Sequence, residues 1–182
     1  MPITRRTCLS GLTGVTLASV SPRVGVAQTS LIRPFSKIVA APRLALPGLD
    51  GAERGLTDRP ALVAFWAVWC APCRAELPAL LRLQDDLAAQ NITVFAVNVG
   101  DPPERVRGFL GQIGAGVLNV LLDRERVTTG PWRVGALPVV YGVSQSGNIG
   151  FSALGAVDWD DPEARRAVAG LLEKPAAAQS PA

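Results

Sequence analysis

Histidine is absent from all 182 residues, and only three cysteines, one tyrosine and one methionine are present. Without an imidazole, the chain lacks the usual general base of cysteine proteases and serine hydrolases. Three cysteines without histidine are too few for a closed zinc site, which needs about four such ligands. The sequence therefore argues against both hydrolase classes and predicts no metal site and no cofactor.

Acidic residues are absent from the first 27 positions, which contain Arg5, Arg6 and Arg23. These three arginines account for the formal net charge of +3, because the remaining chain holds fifteen basic and fifteen acidic residues. A chain of near-zero net charge without a cluster of basic residues has no surface that would attract the phosphates of nucleic acid. We therefore expect no nucleic-acid partner.

The N-terminal residues have the pattern of an export signal. The two arginines precede sixteen uncharged residues, from Thr7 to Pro22, and small residues lead to Ala27. The segment around Arg5 and Arg6 resembles a twin-arginine signal, although Cys8 stands at its phenylalanine position. An uncleaved anchor is the alternative, but sixteen helical residues span ~24 Å, short of a ~30 Å hydrocarbon core. We predict cleavage after Ala27 and a periplasmic location, with retention as a membrane anchor not favoured.

Alternating apolar runs and helical patterns follow, and they predict one α/β domain with a mixed sheet. The predicted organisation is an export signal (1–27), a lead-in segment (28–40), the domain (41–174) and a flexible tail (175–182). The domain begins with a hairpin and ends with a second hairpin and a helix. Its predicted strands include 61–69, 92–99 and 117–123; its predicted helices include 72–90, one opening at 101–103, a turn at 124–129 and 160–173.

Cys70 and Cys73 lie in the stretch "FWAVWCAPCRAELP", where a buried strand gives way to a helix. Unpaired N–H groups at a helix N-terminus stabilise a thiolate, so Cys70 is the predicted nucleophile. Cys73, one turn later, can resolve a mixed disulfide formed by Cys70. The alternative is that both are small apolar residues of the core.

Two neighbours of the cysteines extend this hypothesis. Pro72 fixes its own φ and removes an N–H donor, which stiffens the first turn of the helix. Glu76 follows Cys73 by three residues, and burial there would raise its pKa and suit it to carry protons. The alternative for Glu76 is a solvated carboxylate that interacts with the helix dipole.

The stretch "FWAVWCAPCRAELP", together with "LALPGLDG" and "WRVGALPVVYGVSQSGNIGFSALGAVDW", resembles the thioredoxin superfamily and, more narrowly, its exported TlpA, ResA and DsbE type. The resemblance implies a thioredoxin fold with a helix-strand insert and a redox-active Cys70–Cys73 disulfide. It places Glu76 in the active site and marks Pro138 as a cis-proline preceded by Leu137, beside which an extended substrate can pair. Trp69 is expected either to shield the dithiol and contact substrate or to pack in the core.

The function implied by the resemblance is an exported protein disulfide reductase. Its expected substrates are protein cysteines or disulfides, for example the heme-binding cysteines of apocytochrome c or cysteines of a copper site, and a membrane thiol-disulfide protein would supply electrons. A disulfide oxidase or isomerase using the same residues remains an alternative. A peroxiredoxin would have Thr and Pro where Ala67 and Val63 stand, and a redox-inert peptide-binding module would not need the cysteine pair.

Thioredoxin itself has a buried Asp where Ala64 stands, and the residue before the cis-proline is commonly Thr, Ile or Val rather than Leu137. We therefore expect proton transfer to depend on Glu76, and the resemblance does not specify the partner preference.

Overall fold

The computed structural model describes residues 31–172, so the predicted export signal and tail lie outside the described residues. A six-stranded mixed sheet with the order β1-β8-β7-β4-β5-β6 forms the centre, and β2 and β3 form a separate antiparallel hairpin. The strands are β1 (Leu31–Pro34), β2 (Ala45–Pro47), β3 (Glu53–Gly55), β4 (Ala61–Trp66), β5 (Thr93–Val99), β6 (Val120–Asp123), β7 (Val139–Val143) and β8 (Ile149–Leu154). The helices are α1 (Ala71–Ala88), α2 (Pro103–Gln112) and α3 (Pro162–Ala169), with a 3₁₀ turn at Gly170–Leu172.

The central strands are apolar because both faces of the sheet are covered. Every residue of β4 is buried, as are six of the seven residues of β5. Leu77 of α1, Phe109 of α2 and Val168 of α3 belong to the hydrophobic cluster on one face. Leu46 of the hairpin and Trp132 belong to the cluster on the other face. This arrangement confirms the predicted α/β class with a mixed sheet and an N-terminal hairpin.

The sheet positions the two cysteines at the end of its central strand. β4 is parallel to β5 and antiparallel to β7, so its carboxyl end lies beside the start of β7. The apolar run predicted as a strand to Trp69 leaves the sheet after Trp66, and the Cys70 N–H donates to the Ala67 carbonyl (3.1 Å). This turn directs the chain into α1.

Several other elements also differ from the sequence prediction. The predicted helical turn at 124–129 is a series of non-helical turns, because the Asp123 carboxylate accepts the N–H groups of Val127 (2.8 Å) and Thr128 (3.0 Å). The strand predicted from Val117 begins at Val120, and the last helix begins at Pro162. Within the described residues, no helix is long and apolar enough to cross a bilayer.

The lead-in segment contributes an edge strand to the domain. Residues 31–34 pair with β8 in antiparallel register, with Leu31 opposite Leu154 and Arg33 opposite Ser152. The sheet therefore extends N-terminally beyond residue 41, the predicted start of the domain.

Candidate active site

Cys70 and Cys73 form a disulfide at the N-terminus of α1. Cys70 is the N-cap residue, and its Sγ accepts the Cys73 backbone N–H at 3.3 Å. Cys70 is 5% exposed and Cys73 is 1% exposed, so both residues are buried and Cys70 is slightly the more accessible. A thiolate on Cys70 would face the unpaired N–H groups of the first helical turn, which favour the anion.

Glu76 lies on the buried face of α1 and is only 4% exposed, which excludes the solvated position considered for it. Its Oε1 accepts hydrogen bonds from the Val157 N–H (3.2 Å) and the Trp159 indole N–H (3.1 Å). Burial raises the pKa of Glu76 to about 7, and the two hydrogen bonds oppose that rise. A carboxyl with this pKa can both take up and release a proton near neutral pH.

The segment 155–159 connects Glu76 to the start of β7. The Gly155 N–H donates to the Pro138 carbonyl at 2.9 Å, and the Val157 N–H donates to Glu76. The role of Trp159 was not predicted from the sequence. Its position 83 residues after Glu76 carries no local signal that would have revealed the contact.

A buried polar group supports the turn that precedes Cys70. Asp101 Oδ2 accepts the Val68 N–H (2.7 Å) and the Asn98 side-chain amide (3.1 Å), and both Asn98 and Asp101 are buried. These two residues were not predicted from the sequence, although the polar Asn98 near the end of the apolar strand β5 is a local signal. They fix the backbone of the turn that carries Trp69 and Cys70.

The remaining predicted site residues differ in their exposure. The Leu137–Pro138 peptide bond is cis, Pro138 is buried, and Leu137 packs against both hydrophobic clusters of the sheet. Pro72 is exposed in the first turn of α1. Trp69 is 60% exposed, which excludes the core packing considered for it and leaves its indole open to a partner.

A second concave surface of the described chain lies apart from the predicted site residues. A cavity of about 940 Å³ lies between the β2–β3 hairpin and residues such as Arg59 and Thr93, and none of the predicted site residues lines it. Within residues 31–172, no cluster of acidic and cysteine side chains is arranged to hold a metal ion.

Comparison with known proteins assigns the chain to a family. The sequence model of the AhpC/TSA family matches residues 39–152. The chain belongs to the AhpC/TSA family. Among its relatives, the thiol-disulfide oxidoreductase ResA of Geobacillus thermodenitrificans is 30% identical over 124 residues, which are 66% of this chain and 71% of that protein. The thiol:disulfide interchange protein HelX of Rhodobacter capsulatus is 36% identical over 115 residues, which are 60% of this chain and 62% of that protein.

Solved structures agree with the fold of this AhpC/TSA-family protein. The crystal structure of a protein described as thiol:disulfide interchange protein DsbE from Chlorobium tepidum matches with a TM-score of 0.68 and 26% identity, covering 75% of this chain and 98% of that chain. A secreted thiol-disulfide isomerase from Corynebacterium glutamicum, 20% identical, matches with a TM-score of 0.63 over 79% of this chain and 91% of that chain. The predicted thioredoxin fold and the predicted class, a thioredoxin-like thiol-disulfide oxidoreductase, are confirmed.

Proposed function

We propose that this protein is an exported disulfide reductase in which Cys70 attacks the substrate, Cys73 resolves the mixed disulfide and Glu76 carries the proton. The observation on which this direction of electron flow rests is the charge of the groups buried near the dithiol. Glu76 is buried one turn after Cys73, and among the described residues no lysine or arginine is buried.

The sign of a buried charge biases the redox equilibrium. A cationic neighbour stabilises a thiolate, and a stabilised reduced form makes a dithiol a strong oxidant. A carboxylate has the opposite effect, because its negative charge disfavours a thiolate nearby and thereby disfavours the reduced form. The position of Glu76 therefore supports a reducing dithiol over an oxidising one.

The proposed cycle balances electrons and protons. The Cys70 thiolate attacks one sulfur of the substrate disulfide, forms a mixed disulfide and releases the other substrate sulfur as a thiolate. Glu76 takes the proton from the Cys73 thiol, and the Cys73 thiolate attacks the Cys70 sulfur. The second substrate sulfur leaves as a thiolate and takes the proton held by Glu76. The first substrate thiolate takes from solvent the proton that Cys70 released when it ionised. Two electrons have moved to the substrate, and the enzyme is left with the Cys70–Cys73 disulfide observed in the structure.

We place Trp69, Pro72, Leu137 and Pro138 at the substrate contact, since Trp69 and Pro72 adjoin the cysteines in the chain and the cis Leu137–Pro138 bond directly precedes β7, which pairs with the end of β4. The proposed substrates are protein disulfides, such as those formed by the heme-binding cysteines of apocytochrome c or by cysteines of a copper site. A membrane thiol-disulfide protein is the proposed electron donor, and export to the periplasm, with a signal cleaved after Ala27, is the proposed location. Residues 41–174 are the proposed catalytic domain, to whose sheet the lead-in segment adds the edge strand β1.

The peroxidase alternative has little support from the residues at the site. Val63 and Ala67 stand where peroxiredoxins have Pro and Thr, and both are fully buried without a hydroxyl to offer a peroxide.

The test is a measurement of the reduction potential of the pair together with insulin reduction by the parent, Cys70→Ser and Cys73→Ala. We expect a potential well below that of strong oxidants, ~ -120 mV, and loss of turnover in Cys70→Ser. Cys73→Ala should accumulate mixed disulfides through Cys70. A potential near -120 mV would refute the direction of electron flow, and turnover by Cys70→Ser would refute the role of Cys70.

A further inference from the structure

A groove of about 390 Å³ lies beside the cis-proline, on the face of the sheet opposite the dithiol. Val139 and Tyr141 line it and belong to one hydrophobic cluster, whereas Cys70 and Cys73 belong to the other. Leu137 packs against both clusters, so it marks the rim between the groove and the disulfide.

The register of three strands builds the floor of the groove. Arg33 of β1, Ser152 of β8 and Tyr141 of β7 are directly paired, so their side chains stand on the same face of the sheet. Leu154 of β8 is paired with Val139 in the neighbouring row. The floor is therefore apolar next to the cis-proline and polar one row further away.

The side wall comes from the turn that leads to Leu137. The Tyr141 hydroxyl donates to the Trp132 carbonyl at 2.7 Å, which ties this turn to the sheet. The next residue, Arg133, has φ of 52°, a left-handed backbone that is costly for a residue with a side chain. Arg133 lines the groove. Burial raises the pKa of Tyr141, and the positive charge of Arg133 opposes that rise.

The groove carries positive charge that the described chain does not neutralise. Arg33 and Arg133 are both exposed, and neither forms an ion pair with any residue in 31–172. None of the residues that line the groove is acidic. Its charge and its apolar floor are complementary to an acidic side chain with a short aliphatic stem.

The backbone next to the groove is open to an added strand. Within the described residues, the N–H and carbonyl groups of Gly135, Ala136 and Leu137 make no hydrogen bond. A peptide that pairs with this edge would be extended, and successive side chains of an extended chain point to opposite faces. When its cysteine faces Cys70, the adjacent residue faces the groove.

We propose that the groove formed by Arg33, Arg133, Tyr141, Ser152 and Leu154 binds an Asp or Glu side chain adjacent to the reactive cysteine of the protein substrate. This inference rests on the proposed function, because it assigns a substrate preference to the same dithiol. The groove adds selectivity for acidic sequence around the cysteine and takes no part in the exchange chemistry.

The test uses three peptides that contain the same disulfide and differ only in the residue next to the attacked cysteine, which is Glu, Gln or Lys. The second-order rate of reduction by the reduced full-length protein is measured at low and at high salt. We expect the Glu peptide to react about fivefold faster than the Gln peptide at low salt, the Lys peptide to be slowest, and the differences to shrink at high salt.

The variant Arg33→Gln combined with Arg133→Asn should make the three rates equal, since Asn tolerates the left-handed backbone at 133. Arg59→Gln is the matched control, because Arg59 is exposed just before the opposite end of β4 and lines no part of the groove. Equal rates in the parent, or a Glu preference that survives in the double variant, would overturn the groove assignment while leaving the reductase intact. Failure to reduce any of the peptides would overturn the reductase assignment and the groove with it.

Discussion

Replacing Glu76 with Gln should stabilise the oxidised protein above neutral pH and slow its thiol exchange. The pKa of Glu76 is raised from 4.5 to about 7 in the folded protein, because burial penalises the carboxylate. Between these two pH values the folded protein binds one more proton than the unfolded chain. The contribution of this group to the free energy of unfolding is therefore at its maximum below about pH 4.5, and it decreases as the pH rises toward 7.

The size of the effect follows from the span of that window. One pH unit corresponds to about 1.4 kcal/mol, so the parent should lose about 3 kcal/mol of stability between pH 4.5 and 7 through this carboxyl. Glutamine keeps a carbonyl oxygen that can accept the N–H groups of Val157 and Trp159, and it has no charge to bury. Glu76→Gln should match the parent near pH 4.5 and exceed it by about 3 kcal/mol above pH 7.

Urea denaturation of the oxidised parent and variant at several pH values from 4.5 to 8 measures this difference. The chain has no histidine to titrate in the window, and the disulfide holds no thiol, so the background slope is small. Glu125→Gln, at an exposed position, is the control and should retain the parent slope. Parent stability that stays constant between pH 5 and 7, or a variant that keeps the slope, would refute the reasoning.

Three further substitutions test the structure around the site. Trp159→Phe removes the indole N–H that favours the ionised carboxylate, so the pKa of Glu76 should rise by about one pH unit. In the same urea series, the free energy of unfolding should therefore continue to fall to a pH about one unit higher than in the parent. Asp101→Ala leaves the Val68 N–H and the Asn98 amide unpaired and should lower the free energy of unfolding by about 2–4 kcal/mol, a loss absent from Asp158→Ala at an exposed position. Gly142→Ala should cost about 1–3 kcal/mol, because the added Cβ would lie 2.2 Å from the Phe151 ring, whereas Gly116→Ala meets nothing within 4 Å and should change stability little in thermal unfolding.

Local sequence was sufficient for the parts of the site that depend on near neighbours. Cys70, Cys73 and Glu76 lie within seven consecutive residues where β4 leads into α1. The repeat of the α-helix places residues three apart next to each other on one face, which sets their relative positions. The apolar run of β4 predicted a buried central strand because a strand covered on both faces has no polar positions. These features require no contact with distant residues.

Contacts between segments far apart in the sequence determine the environment of Glu76 and the position of Arg33. Glu76 is buried and partnered only because the segment 155–159, more than eighty residues later, folds over it. The pKa of the carboxyl, unlike its position in the sequence, therefore depends on the tertiary structure. Arg33 reaches the groove beside Leu137 only through its register with β8. Residue types and spacing were enough to predict the dithiol chemistry, whereas the burial of Glu76 and the position of Arg33 depend on contacts that exist only after the sheet is assembled, because burial and strand register are properties of the folded chain.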